Sequence, residues 1–176
     1  MTKEFDEYEG FKMACLSAYR TIEAVDGLEL SSKLLWAISN MYQAIGYAML
    51  FYKNEWDFEV NPQFNNSVID TITKSEGKED LLFIQHYNTD FDDFQQKLRD
   101  IEYVRHNVLH ANSKQLEQWS LDIVYLLKLI YLCQNIVNDI VTTGQKTGHH
   151  QGEEMKNWFF TFQHRMNRAL ESYPRN

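Results

Sequence analysis

Backbone breakers are scarce in this chain, and that scarcity limits its fold more than any motif does: 2 prolines and 7 glycines are spread over 176 residues. A sheet protein needs such residues at its many turns, whereas Leu, Ile, Gln, Glu and Lys, abundant here, favour long helices. The apolar residues repeat accordingly. Phe5, Tyr8, Phe11, Cys15, Tyr19 and Ile22 recur at three and four, as do Leu34, Leu35, Ile38, Met41, Tyr42, Ile45, Met49 and Tyr52. These stripes predict an all-α fold, an up-and-down bundle of four to five helices in one domain over residues 1–176. A hydrophobic share of 44% gives that domain material for a core.

The predicted helices can be taken in order. The first spans about 5–25 and ends at Asp26-Gly27, the glycine suiting a left-handed C′ position. Ser31 or Ser32 offers an N-cap for the second, in which Trp36, Tyr47 and Phe51 add apolar character outside the main stripe. Such a helix is central or faces a partner subunit. From 54 to 90 regularity lapses, and turn chemistry at Asn61-Pro62, Asn65-Asn66-Ser67 and Ser75 to Lys78 predicts an insertion with one or two short helices, a lid or partner surface. The third helix is predicted from about Asp90 to Leu109 and the fourth from Lys114 to Val141. Between them, Asn112-Ser113-Lys114-Gln115 reads as a capping box. A polar loop from Thr142 to Gly148 closes the fourth. The fifth starts near Glu153-Glu154, presents Met155, Trp158, Phe159, Phe162, Met166 and Leu170 on one face, and stops before Pro174.

Charge and cysteine usage narrow the function. A net charge of -8 argues against a broad grip on nucleic acid, whose affinity comes mainly from neutralised phosphates, yet leaves room for a local cationic cleft near Lys97, Arg99 and Arg105. Cys15 and Cys133 lie within apolar helical stretches and read as buried free thiols of a cytoplasmic protein. In that setting the sequon at Asn65-Asn66-Ser67 is coincidental. The acidic start excludes a signal peptide, and the apolar runs look too interrupted to span a bilayer, so no membrane partner is expected. There is no glycine-rich phosphate loop, Cys-x-x-Cys pair or nucleophile elbow. The aromatic residues keep helical spacing and read as core.

Chemistry concentrates in Arg105-His106-Asn107-Val108-Leu109-His110, at the junction of the third and fourth helices. Arginine's planar, always-charged fork suits a phosphate, and histidine exchanges a proton near neutral pH. Five residues separate Arg105 from His110, about 140° on a straight helix, so they converge only if the helix ends or bends between them. If they do, His110 acts as general base or acid on a ribose 2′-hydroxyl attacking the adjacent phosphorus, Arg105 stabilises the phosphorane charge, and Asn107 holds one of them. A rival reading is a metal site, because Glu102, His106 and His110 recur every four residues. His149-His150, followed by Glu153 and Glu154, is a second metal candidate but reads first as a glycine-flanked loop.

This segment resembles the Arg-x4-His signature of the HEPN superfamily, small helical bundles that commonly dimerise so that both signatures line one cleft. The resemblance implies a metal-independent endoribonuclease of a toxin, phage-defence or RNA-processing system, with Arg105 and His110 catalytic. It implies assisting roles for His106, Asn107 and Asp100, and requires no cofactor or metal. Val104 stands where members with the acidic residue have a lysine, and Asn112 stands where one toxin variant has tyrosine. The implied partners are a second copy, an RNA substrate and an antitoxin or regulatory protein. The alternative is a non-catalytic module whose second and fifth helices bind another copy or an antitoxin-like partner.

Overall fold

A computed structural model describes residues 6–24, 27–56, 91–117, 119, 122–145 and 150–174, and among them there are six helices and no strands. The helices are α1 (Glu7–Glu23), α2 (Leu30–Trp56), α3 (Phe91–Leu109), the one-turn α4 (Ser113–Leu116), α5 (Ile123–Gln145) and α6 (His150–Leu170). α1 packs on α2 and α6, α2 on α5, and α5 on α6, which closes a four-helix ring. α3 lies against α2 and α5 and carries α4 at its end. The all-α bundle expected from the sequence is what forms.

Most of the predicted stripe residues are buried; Tyr8, Tyr19 and Trp158 are half-buried, and the side chains of Phe5 and Tyr52 lie outside those described. In α1, Phe11, Cys15 and Ile22 are buried, and Asp6 caps the helix by accepting the Glu9 N–H at 2.7 Å. In α6, Met155, Phe159, Phe162, Met166 and Leu170 are all buried. α2 touches α1, α3 and α5, so its extra apolar character is that of a central helix. Ala37, Ala44 and Ala48 on α2 are wholly buried. The far end of α1 is tied down by side chains from elsewhere. Lys33 donates to the Ala24 carbonyl, and the Tyr173 hydroxyl donates to the Ile22 carbonyl at 3.2 Å, so carbonyls left over at a helix end find donors. Cys15 and Cys133 are free and buried, and burial pushes both thiols up, away from the reactive thiolate.

Several boundaries differ from the sequence expectation. α2 starts at Leu30, before either serine; Ser31 is buried inside the first turn, and the Lys33 N–H already bonds the Glu29 carbonyl at 3.1 Å. Tertiary anchoring of that turn sets the start, not a serine cap. Gly27 does take a left-handed φ of 76°, but it lies three residues past the extended C-cap Ala24. The single fourth helix is in fact α4, a break and α5. Asp122 accepts the Tyr125 N–H at 3.0 Å and so begins a new helix inside what reads as one stripe. α5 runs through Gly144 to Gln145, because one glycine disfavours a helix by only about 1 kcal/mol while Ile140 and Val141 remain in the core. α6 begins at His150, earlier than the acidic pair.

One expectation about apolar runs is corrected. Ile123–Thr142 is long and apolar enough, by length and composition, to cross a membrane. Here it is a core helix packed on α2, α3 and α6, a setting that also demands apolar residues on most sides. The expected insertion is helical over 54–56, as the end of α2, and its remainder, 57–90, lies outside the described residues together with the sequon and His86. His149 lies outside them too.

Candidate functional site

The Arg105 to Asn112 segment is built around the way α3 stops. The Asn112 N–H bonds the Asn107 carbonyl at 2.9 Å and the Ala111 N–H bonds the Val108 carbonyl at 3.3 Å, the paired bonds of a Schellman motif. Ala111 occupies the left-handed position with φ 54°, the one non-glycine residue with positive φ among those described. His110 is therefore the C-cap, and its own N–H still bonds the His106 carbonyl at 3.1 Å. The expected capping box does not form. Asn112 precedes α4 without capping it, and its side chain turns back to donate to the Asn107 carbonyl oxygen Oδ1 at 3.1 Å.

Asn107 thus belongs to the helix terminus more than to the expected pair of Arg105 and His110. It is buried, its Nδ2 donates to the Tyr103 carbonyl at 2.8 Å, and its Oδ1 receives Asn112. Neither bond reaches Arg105 or His110. Asp100 is likewise occupied, accepting from the Tyr125 hydroxyl and from Gln96 at 3.0 Å. Burial first, and then the bond to Asp100, push the Tyr125 hydroxyl above its ordinary range, so Tyr125 stays a proton donor. Val104, where a lysine stands in some relatives of the signature, is wholly buried. A charged side chain has no place there.

Arg105 faces inward toward α2. Its guanidinium carbon lies 5.3 Å from the centre of the Tyr42 ring, and Tyr42 itself donates to Glu102 at 3.1 Å. Among the described residues no carboxylate pairs with Arg105, and its Nε is buried without a hydrogen-bond acceptor. His106 and His110 are exposed on another side, one turn apart, with ring centres 4.6 Å from each other. Because α3 is helical through Leu109, the five-residue step from Arg105 to His110 keeps them roughly 140° apart in direction. One chain therefore brings together His106 with His110 and Asn107 with Asn112, and sets Arg105 apart over Tyr42. The stripe of Glu102, His106 and His110 is not a three-ligand site: among the described residues no three His, Cys, Asp or Glu side chains gather as metal ligands.

Two neighbours escape a sequence reading. Tyr42 reads as one more core residue of α2, and Tyr125 as one of α5, and nothing in their local spacing announces contacts with Arg105 and Asp100. A cavity of about 520 Å³ opens between the start of α2 and the end of α3, lined by Leu35, Trp36, Val108, Leu109 and Leu116 with Asn107 and by neither histidine. Trp36 and Leu109 are 55% and 47% exposed at it, large values for such side chains. Comparison with protein-family models, curated proteins and solved structures gives no match.

Proposed function

We propose that the chain is a HEPN-like, metal-independent endoribonuclease that works as a homodimer. The observation that carries this reading is Arg105, a half-buried cation without a carboxylate partner among the described residues and with an unbonded Nε. Among the described residues only the face of the Tyr42 ring answers this charge, and a phosphate arriving from solution supplies the acceptor that Nε lacks. His110 at an exposed helix end supplies the proton acceptor. It removes the proton of the 2′-hydroxyl as the oxygen attacks phosphorus, Arg105 stabilises the phosphorane, and the 5′-oxygen leaves with a proton from a second imidazole. The products are a 2′,3′-cyclic phosphate and a 5′-hydroxyl. A second copy is part of the proposal, because Arg105 and His110 of one chain point apart and a cleft between two copies places both types around one phosphate. His106 assists His110, while Asn107 and Asp100 act by positioning α3.

The setting that fits is a toxin or phage-defence system in the cytoplasm, held in check by an antitoxin or regulatory protein; the buried free thiols support a reducing compartment. The test is cleavage of labelled single-stranded RNA and transfer RNA in EDTA, with end-group analysis. Arg105→Ala and His110→Ala are each expected to reduce cleavage by about 10²-fold or more while leaving the fold intact. If wild type and variants are equally inert as folded proteins, the second reading takes over: a non-catalytic module that binds a partner. The exposed Trp36 and Leu109 at the apolar cavity favour it.

A further inference from the structure

We propose that His106 and His110 form a two-histidine chelate for one divalent transition-metal ion, and that this ion switches the site off. The geometry comes first. With a metal–nitrogen bond of about 2.1 Å and ~1.1 Å from nitrogen to ring centre, two imidazoles bound at right angles have ring centres about 4.5 Å apart, against about 5.2 Å at the tetrahedral angle. The observed separation is 4.6 Å, with the rings inclined by 52° and not stacked flat. That spacing lets one ion reach a nitrogen of each ring after a small side-chain adjustment, and divalent nickel, copper and zinc all accept imidazole.

The surroundings agree. Both rings are exposed, and one turn of helix separates their backbones, so chelation needs only side-chain adjustment. The pair sits at the negative end of the α3 dipole, which favours a cation. The C-cap position of His110 is fixed by the Schellman bonds, so half of the chelate is preorganised. Both cysteines are buried and offer no competing thiolate. Since no third protein ligand joins the pair among the described residues, water fills the remaining positions and the ion stays exchangeable.

The regulatory half rests on the ribonuclease reading. A metal-bound imidazole has given up its lone pair and keeps its other ring nitrogen protonated, so His110 then has no capacity to accept the 2′-hydroxyl proton. An ion on this pair inhibits a reaction that needs no metal.

The experiment is calorimetric titration of the untagged full chain with nickel chloride, beside His106→Ala, His110→Ala and the double variant His149→Ala/His150→Ala, with circular dichroism to verify folding. Wild type and the double variant are expected to bind one equivalent, and each of the other two to bind at least about tenfold more weakly. Equal binding by wild type and His106→Ala, or loss in the double variant, overturns the site. In the RNA assay, nickel is expected to suppress wild-type cleavage, and whatever cleavage His106→Ala retains is expected to need at least about tenfold more nickel for the same suppression. Chelation without suppression overturns the switch. A chain that never cleaves RNA sinks the ribonuclease reading and the switch with it, while the titration still decides the chelate.

Discussion

The contact of α1 with α6 and the end of α3 are held by opposite means. In the first, Phe11 meets Trp158 edge-on at 5.8 Å and Phe159 at 5.9 Å, and Trp158 stacks on Phe162 at 5.6 Å. Ring area and geometry dominate there, with Arg165 over the Tyr19 ring and the Tyr173 hydroxyl bonded to the Ile22 carbonyl at the edge. At the end of α3 the structure depends on particular polar atoms: two backbone bonds, a buried amide and one strained alanine. The second leaves, among the described residues, a cation without a carboxylate partner and two imidazoles in solvent, and so has chemistry to offer a ligand.

The largest effect should come from the aromatic side. Phe159→Ala removes a wholly buried ring that touches Phe11 and Phe162, and is expected to lower stability by about 3–5 kcal/mol. Urea denaturation measures it. A loss below about 1 kcal/mol means that the rings repack easily and the contrast between the two regions is false.

Asn107→Ala tests the polar side at smaller scale. It removes the bonds to the Tyr103 carbonyl and from the Asn112 amide, with an expected loss of about 1–3 kcal/mol. Amide hydrogen exchange should localise the damage, speeding at Ala111 and Asn112 and leaving α1 and α6 unchanged. Uniform acceleration throughout the bundle contradicts the assignment of Asn107 to the helix terminus.

How much of this was legible beforehand follows the same division. The aromatic side was readable because burial repeats with the helical period, and Met155, Phe159, Phe162, Met166 and Leu170 announce their face without knowledge of any partner. The break between α4 and α5 was hidden because Leu116, Trp119 and Ile123 keep an apolar rhythm across it, and only the Asp122 cap reveals a new start. At the candidate site, residue types were readable and directions were not. Whether Arg105 and His110 converge depends on where α3 ends, which Ala111 decides by taking a conformation usually left to glycine. That Arg105 lies over Tyr42 depends on how α3 packs on α2, which no local spacing encodes.

Ala111 supplies the smallest test and the sharpest one for the terminus. An alanine in the left-handed region is strained by about 1–2 kcal/mol, and glycine is not, although glycine's extra freedom in the unfolded chain offsets about 0.4–1 kcal/mol of that. Because the strain acts on the folded state alone, Ala111→Gly is expected to stabilise the protein by about 0.5–1 kcal/mol, with a raised urea midpoint and an unchanged slope. Ala111→Val, whose branched side chain tolerates that conformation worse, should shift the midpoint the other way. The sign decides the matter. If glycine destabilises, α3 does not end in the left-handed cap, His110 is not held at the C-cap, and the spacing of its ring from His106 loses the backbone that maintains it.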